Sequence, residues 1–210
     1  RRMTLYAFGR SVFGFASVRG RVTLVLIVPA RIAHSPARRK AYARGMTEPE
    51  PPEPNVATRW SAAEDGPGLA RVHGDAWRYA YAGIIPGITL ERMIARRGPA
   101  WWSRMHARGF RALVVDCDGT LAGYATLGRS RAPGGGPSGE IYELYVRPEY
   151  QGCGLGRRLF AEARRTLAVN GLPRLTVWAL SENEIACRFY RAMGGTEAGR
   201  AEDRFCGIPL

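Results

Sequence analysis

Three glycines at alternate positions follow an apolar run and precede an amphipathic stretch. Residues 140–159 read EIYELYVRPEYQGCGLGRRL, which places Gly152, Gly154 and Gly156 shortly after Pro148. Glycine lets a backbone approach a ligand closely because no Cβ stands in the way. A helix that begins after such a turn offers unpaired N–H groups and the positive end of its dipole, and both attract phosphate groups. The stretch therefore predicts a diphosphate site between a strand and a helix.

Two common diphosphate motifs do not fit this spacing. A dinucleotide fold requires Gly-x-Gly-x-x-Gly at its first strand-to-helix turn, but Arg157 and Arg158 follow Gly156 here. A P-loop requires Gly-Lys-Ser/Thr, and the chain contains no such tripeptide. The spacing therefore excludes both classes of nucleotide-binding motif.

The elements that must position this turn are predicted from hydrophobic period and from capping residues. Apolar, β-branched runs predict strands, and stripes of apolar residues at helical spacing predict helices. The predicted strands are 56–60, 110–116, 120–127, 140–146 and 174–180, followed by a closing pair whose second member is 204–208. The predicted helices are 61–79, 89–97, a third from the glycines to Asn170, and a fourth ending at Met193.

Short local signals predict where these elements begin and end. Ser61 is predicted to cap the first helix, and Ser181 with Glu184 to form a capping box for the last one. The tripeptide 117–119, Cys-Asp-Gly, predicts a tight hairpin, and Asn170-Gly171 and Gly194-Gly195 predict helix ends. Aromatic residues around the break at 83–87 are expected to be mainly core, with some lining an acceptor pocket.

Charge divides the chain into two parts. The net charge of +13 includes +10 from residues 1–45, which hold ten Arg or Lys and no Asp or Glu. Residues 46–210 carry 21 basic and 18 acidic side chains, so a strongly basic character belongs to the first part only. We expect residues 1–54 to be a basic, disordered or non-native extension with a Pro-rich lead-in, and 55–210 to be one domain.

Three interpretations of residues 1–45 stay open: translation from upstream of Met46, a targeting segment, or a segment with its own function. We expect a chain trimmed of them to stay soluble and active. Nucleic-acid binding through this segment would show strong salt dependence, and we expect none. Neither apolar piece approaches the ~20 residues of a membrane span, so no membrane partner is expected.

The four cysteines, at 117, 153, 187 and 206, form no C-x-x-C pair and no metal-type spacing with the three histidines. We therefore expect no metal. A chain of this length does not need disulfides to fold, so a reducing, cytoplasmic location is expected.

The glycine turn resembles motif A of the GNAT acetyltransferase superfamily, Gln/Arg-x-x-Gly-x-Gly/Ala, filled by Gln151, Gly154 and Gly156. A second match is Asn183-x-x-Ala186-x-x-x-Tyr190 followed by Met-Gly-Gly, which is similar to a conserved helix of that family. The predicted element order also resembles the GNAT fold over about residues 56–210. The resemblance implies an α/β (α+β) fold with a mixed central sheet of six to seven strands flanked by four helices.

The resemblance implies acetyl-CoA as co-substrate. In the family, the central strand parts from its neighbour and its free amides bind the pantetheine arm and polarise the thioester. The matching residues here are Leu144, Tyr145 and Val146. The pyrophosphate would be held by Gln151, Gly152, Cys153, Gly154, Leu155, Gly156 and Arg157, and Asn183 would contact the cofactor arm.

Acetyl transfer to an amine also needs proton transfer. By the resemblance, Tyr190 stands at the position of the family's general acid. A phenol with pKa near 10 is protonated at neutral pH and can donate its proton to a leaving thiolate. Glu140 and Glu143 are the candidate bases on the strand. They lie three residues apart, so we expect them to face opposite sides of the sheet, and the choice between them stays open. Cys187 is predicted to be a packed thiol rather than a nucleophile.

These residues predict an acetyl-CoA-dependent N-acetyltransferase acting by direct attack in a ternary complex on a primary amine of a small molecule or peptide. Two alternatives are transfer of another acyl group and a non-catalytic acyl-CoA-binding module. Relatives that acetylate a ribosomal-protein alanine carry Glu five residues before the Asn, where this chain has Trp178. That difference argues against the ribosomal substrate. The acceptor and a homodimer are left open.

Overall fold

The structure is a computed structural model that describes residues 19–27, 55–131 and 137–204. It contains seven strands and five α-helices among those residues. The strands are β1 Arg19–Ile27, β2 Val56–Trp60, β3 Leu113–Cys117, β4 Thr120–Arg129, β5 Ser138–Val146, β6 Arg174–Leu180 and β7 Thr196–Arg204. The helices are α1 Gly66–Tyr81, α2 Gly87–Ala95, α3 Pro99–Ala107, α4 Leu155–Val169 and α5 Glu184–Ala192. Short 3₁₀ turns cover Ala63–Asp65 and Pro148–Tyr150.

The strands form one mixed sheet in the order β2-β3-β4-β5-β6-β1-β7. Every pairing is antiparallel except that of β5 with β6, which α4 connects. The predicted α/β class with a mixed sheet is therefore confirmed. The helix count differs from the predicted four, because α3 begins at Pro99 in a stretch for which no helix was predicted. Proline is favoured in the first helical turn, where its missing N–H has no partner to lose.

Strand β1 lies outside the region that we expected to fold. It pairs with β6 through Val22–Ile27 and with β7 through Arg19–Leu26. Our exclusion of residues 1–45 left no place for such a strand. Trimming the chain at Met46 would remove a strand that is paired on both sides, so this pairing disagrees with the expectation that a trimmed chain stays folded. The predicted second closing strand, 204–208, lies almost wholly outside the described residues.

Helices cover both faces of the sheet. On one face the predicted apolar stripe of α4 is buried, and its members are Leu155, Leu159, Phe160, Ala163 and Leu167. On the other face α1 and α3 bury Val72 and Trp102 against Val114 and Tyr124 of the sheet. Each large apolar side chain removed from water contributes about 1.5–3 kcal/mol. These two clusters hold β4 and β5 between two helical layers.

Several predicted boundaries are confirmed, but the predicted cap at Ser61 is wrong. Asp118 and Gly119 have φ of 51° and 79°, as a two-residue hairpin turn requires. Asn170 follows α4 directly, and Gly171 has φ of 76°. Ser61 does not cap a helix, because its hydroxyl accepts a hydrogen bond from the Ala112 N–H at 3.0 Å and so joins β2 to β3.

Candidate active site

Strand β5 parts from β6 halfway along its length. The parallel pairing runs from Ser138 to Ile141, which faces Val177, and continues no further. Beyond that point β5 pairs only with β4, where Val146 faces Gly123. Leu144, Tyr145 and Val146, the residues predicted to bind the acyl arm, all lie in the parted section. Their edge of β5 therefore faces a gap rather than a neighbouring strand.

The glycine turn follows the parted strand directly. Gly152 and Gly154 have φ of 84° and 86°, in the left-handed region that favours glycine. No atom lies within 4 Å of a Cβ built on either residue, so the turn is open on its outer side. Gln151, Cys153 and the α4 residue Arg157 are also exposed. The turn therefore presents backbone to solvent beside the gap.

Helix α4 begins without a side-chain cap. Its N-cap residue is Gly154, and the first intrahelical bond runs from the Arg158 N–H to the Gly154 carbonyl at 3.0 Å. The N–H groups of Leu155, Gly156 and Arg157 therefore point out of the helix start. Such a helix start, with its positive dipole end, is typical of phosphate sites.

Gln151 bends back toward the strand. Its side-chain Nε2 donates to the Val146 carbonyl at 2.9 Å. The Cys153 thiol likewise lies 2.9 Å from the Tyr150 carbonyl. The first contact joins the turn to β5 and the second joins the turn to itself, so the amide group of Gln151 braces the end of the strand.

Tyr190 lies on the buried face of α5. It is buried in the same cluster as Val146 and packs against Phe160 and Phe189, with ring centroids 6.2 and 5.3 Å away. Burial raises the pKa of Tyr190 above its usual value, and the nearby Tyr81 raises it further. The phenol is therefore protonated through the neutral and mildly alkaline range.

Asn183, rather than Ser181, caps α5. Its side-chain Oδ1 accepts a hydrogen bond from the Ala186 N–H at 3.1 Å, so the predicted capping box is wrong. Asn183 is buried, and Nδ2 is the part of its side chain that remains for another partner. The Asn-x-x-Ala spacing is thus explained locally as a helix cap.

The described cysteines are separate thiols. Cys117, Cys153 and Cys187 are unbridged, and Cys206 lies outside the described residues. Cys187 is buried with Sγ 3.6 Å from the Leu180 carbonyl, and burial raises the pKa of its thiol. A raised pKa disfavours the thiolate, so Cys187 is a packed thiol. In the part of the chain that the structure describes, no three His, Cys, Asp or Glu side chains form a metal cluster.

Glu140 and Glu143 face the same side of the sheet, and the prediction of opposite faces is wrong. Glu143 pairs with Thr126 and Glu140 with Gly128, which lie two residues apart on β4 and so share a face. The register between these pairs shifts, since Leu127 faces Ile141. An extra residue in β5 forms a β-bulge, which reverses the alternation of side chains.

Glu140 is tied to the connection between β4 and β5. Its carboxylate accepts hydrogen bonds from the Arg131 backbone N–H at 2.7 Å, from Arg131 Nε at 2.9 Å, and from Nη2. The guanidinium also lies over the Tyr142 ring, 4.5 Å from its centroid. The Glu140 side chain is 0% exposed, so it anchors this connection and does not face solvent.

Glu143 is the anion of a buried polar network. Arg97, just after α2, pairs with its Oε1, and Thr126 and Tyr124 lie 3.3 and 3.5 Å from its Oε2. The side chains of Arg97 and Glu143 are 11% and 6% exposed. A buried carboxylate needs such partners because an unpaired charge in the interior is costly.

His73 extends the network into α1. Its Nδ1 lies 2.9 Å from the Tyr124 hydroxyl, and the ring is buried beside Trp77. Burial, with the charge of Arg97 as a smaller cause, lowers the pKa of His73 to about 2. The imidazole is therefore neutral at any ordinary assay pH.

The lowered pKa of His73 predicts an acid-dependent loss of stability. Unfolded histidine binds a proton below pH 6.5, whereas folded His73 binds one only near pH 2. The wild-type free energy of unfolding should fall by about 1.4 kcal/mol per pH unit below 6.5, relative to His73→Phe. Urea denaturation of both proteins at pH 7 and pH 5 measures this difference. A difference that does not change with pH would contradict it.

Tyr81 lies close both to Tyr145 of the parted strand and to Tyr190 of α5. Its hydroxyl lies 3.0 Å from that of Tyr145 on the parted strand, and it lies near enough to Tyr190 to raise the pKa of that phenol. Sequence reasoning placed Tyr145 among the acyl-binding residues but missed Tyr81, His73 and Arg97 as site residues. The only signal for Tyr81 was its place in the aromatic run before the break at 83–87.

A family model described as the acetyltransferase (GNAT) family matches residues 73–194, more than half of the chain. The chain belongs to the GNAT acetyltransferase family. The match includes the glycine turn, the parted strand and Tyr190. The resemblance inferred from two short motifs is thereby confirmed, and with it the assignment as an acetyltransferase.

Curated relatives of this GNAT domain include N-acetyltransferases and longer enzymes. The chain is 31% identical over 150 residues to the uncharacterised N-acetyltransferase YuaI of Bacillus subtilis strain 168, covering 71% of this chain and 84% of YuaI. It is 34% identical over 112 residues to the mycothiol acetyltransferase of Nocardiopsis dassonvillei, covering 51% of this chain and 32% of that enzyme. The match thus spans about a third of the mycothiol acetyltransferase.

Solved GNAT structures share the fold at low identity. The PaiA N-acetyltransferase of Thermoplasma acidophilum, solved with coenzyme A, has a TM-score of 0.61 and 22% identity, covering 71% of this chain and 96% of that one. Aminoglycoside N-acetyltransferase AAC(6')-Iy, also solved with CoA, has a TM-score of 0.54 and 17% identity, covering 72% and 95%. Within the described ranges, no helix of this chain is long and apolar enough to span a membrane.

Proposed function

We propose that this GNAT domain transfers an acetyl group from acetyl-CoA to a primary amine of a small molecule or a peptide. The observation that supports this most is the parting of β5 from β6 beside an open glycine turn, with Tyr190 in the same buried cluster as Val146. A gap lined by backbone amides suits an extended thioester arm, and the turn suits the diphosphate that ends it.

The open turn supports a role in holding the pyrophosphate. The outward N–H groups of Leu155, Gly156 and Arg157 would donate to phosphate oxygens, with the exposed turn residues Gly152, Cys153 and Gly154 beside them. Gln151 would act indirectly, by bracing the turn against Val146. Asn183 Nδ2 would contact the pantetheine arm, because Oδ1 already caps α5.

The proposed chemistry is direct attack in a ternary complex. The amine nitrogen forms a bond to the thioester carbonyl carbon, and the C–S bond breaks as the tetrahedral intermediate collapses. The amides of the parted strand that point away from β4, those of Leu144 and Val146, would stabilise the oxyanion, an effect usually worth a few kcal/mol, whereas the alternate amide of Tyr145 faces β4. The departing thiolate takes the hydroxyl proton of Tyr190, and the amine gives its own proton to a carboxylate or a relayed water.

Glu143 is the better supported of the two candidate carboxylates. It lies on the face of the sheet that carries Tyr145, whose hydroxyl contacts Tyr81 of α1, and next to the parted section of β5. Glu140 lies where β5 and β6 are still paired, and Arg131 surrounds its carboxylate. We propose that Glu143 orients the amine and takes its proton through water, while Glu140 anchors the β4–β5 connection.

This assignment predicts unequal effects of two matched substitutions. Glu143→Gln should lower kcat about tenfold because the charge next to the amine is lost, whereas Glu140→Gln should change kcat less than threefold. Steady-state kinetics on both variants at saturating acetyl-CoA measure the contrast. Equal kcat losses, or a larger loss for Glu140→Gln, would contradict the assignment.

Two observations support the proposed acceptor class: the names of relatives, and a residue that argues against a ribosomal-protein substrate. One relative is named a mycothiol acetyltransferase and one structural neighbour an aminoglycoside N-acetyltransferase, and both names support a small-molecule acceptor. Trp178 stands at the position that argues against a ribosomal-protein alanine. We propose a small-molecule amine or a peptide as the acceptor. A cytoplasmic location and the absence of a nucleic-acid partner stay predictions, and the oligomeric state stays open.

A thiol-release assay tests the proposal. Purified chain with acetyl-CoA and a panel of small amines, aminoglycosides and peptides should release free thiol only when an acceptor is present. Binding of acetyl-CoA measured by calorimetry, without turnover on any amine, would favour the non-catalytic module. Turnover with a longer acyl-CoA but not with acetyl-CoA would favour transfer of another acyl group.

A further inference from the structure

A line of buried polar groups connects α1 to the proposed amine-side carboxylate. His73 Nδ1 lies 2.9 Å from the Tyr124 hydroxyl, which lies 3.5 Å from Glu143 Oε2. His73 and Tyr124 are each at most 1% exposed. The line therefore runs through the interior between α1 and the sheet.

The carboxylate of Glu143 determines which group donates each hydrogen bond along this line. A carboxylate only accepts hydrogen bonds, so Tyr124 donates its hydroxyl proton to Glu143. The Tyr124 oxygen is then the acceptor for His73, which must carry its proton on Nδ1. The imidazole is neutral, so this fixes one tautomer and leaves Nε2 without a proton.

Nδ1 is the ring atom of His73 with a polar partner. Nε2 is buried without a hydrogen-bond partner, as are the indole nitrogens of Trp77 and Trp102 beside it. An unpaired buried polar atom is costly, and a phenylalanine ring would fill much of the same space without one. Any effect of the polarity of the His73 ring on Glu143 therefore passes through the Tyr124 hydroxyl.

We propose that His73 is a positioning residue for acetyl transfer, which orients the Tyr124 hydroxyl toward Glu143 and thereby holds that carboxylate in place for the amine. This inference rests on the proposed function, since it assigns Glu143 to the amine side. Arg97 and Thr126 hold the same carboxylate from other directions. Loss of His73 therefore loosens Glu143 without releasing it.

Two substitutions at one position separate positioning from packing. In His73→Asn an amide N–H takes nearly the place of Nδ1–H, whereas His73→Phe keeps a ring without a donor. We expect His73→Phe to lower kcat about tenfold, the effect of one hydrogen bond, with the acetyl-CoA Kd unchanged. His73→Asn should stay within threefold of wild type, although it leaves the larger cavity. Full steady-state kinetics and calorimetry on both variants measure this.

A second route does not depend on substitutions at His73. Tyr124→Phe keeps the ring and removes only the hydroxyl, so it should lower kcat as much as His73→Phe does. The double variant should be no worse than either single one, because both break the same line. Additive losses would overturn the inference.

Other outcomes are equally decisive. Wild-type kcat in His73→Phe, or a loss in His73→Asn as large as in His73→Phe, would overturn the positioning role while leaving the proposed function intact. A wild-type protein that binds acetyl-CoA and acetylates no amine in the panel would overturn both. The wild-type assay therefore distinguishes the two failures.

Discussion

Replacing Tyr190 with Phe is expected to lower kcat about 100-fold, the lower end of what a positioned general acid contributes. Phenylalanine keeps the packing against Phe160 and Phe189 and removes only the hydroxyl. The departing thiolate then loses its proton donor, while the glycine turn is unchanged. Steady-state kinetics should therefore show the loss in kcat, with acetyl-CoA binding by calorimetry close to wild type.

The control is Tyr79→Phe, which removes the hydroxyl of a tyrosine that is 50% exposed and should leave kcat unchanged. The pH dependence gives a second check. Burial raises the pKa of Tyr190 above its usual value near 10, so the protonated donor persists as pH rises. Wild-type kcat should not decline between pH 7 and 9.5 through this group. Unchanged kcat in Tyr190→Phe at pH 7 would exclude the proton-donor role.

Replacing Gly154 with Glu is expected to weaken acetyl-CoA binding at least about 100-fold. Gly154 has φ of 86°, which a residue with a Cβ adopts only at a cost, so the start of α4 would rearrange. The new carboxylate would also stand beside the proposed pyrophosphate site, and like charges brought together cost several kcal/mol. Calorimetric titration with acetyl-CoA measures the loss.

Gly171→Glu provides a matched control at the other end of α4. Gly171 has φ of 76°, and no atom lies within 4 Å of a Cβ built there, just as at Gly154. The two variants therefore introduce the same charge with similar backbone strain. Gly171→Glu should lose stability without losing affinity for acetyl-CoA. Wild-type affinity in Gly154→Glu would mean that the diphosphate binds elsewhere.

Local signals in the sequence predicted the elements around the turn well. Glycine at 152 and 154 is needed where φ is positive, and Asp118-Gly119 specifies a tight hairpin by the same physics. The stripe on α4 has helical period, so its buried face follows from the order of residues alone. Such features depend on neighbours within a few positions, which a sequence displays directly.

Features that depend on distant residues were predicted poorly. The bulge in β5 is a mismatch of register against β4, and nothing in residues 140–146 marks it. Arg97 is a short distance from α2 in sequence and far from Glu143, so their pairing arises only when α2 packs near the sheet. Serine is a common helix cap, but the Ser61 hydroxyl instead accepts a hydrogen bond from the backbone N–H of Ala112.

The sequence by itself determined the family, the glycine turn and the tyrosine of α5, because each rests on residue types at short, fixed spacing. The tertiary structure alone decided which groups surround the two strand glutamates. A one-residue bulge places Glu140 and Glu143 on one face of the sheet. In the folded chain Glu140 is paired with Arg131, and Glu143 is surrounded by Arg97, Tyr124 and Thr126. Charge partners are set by three-dimensional proximity, and spacing along a chain does not record it.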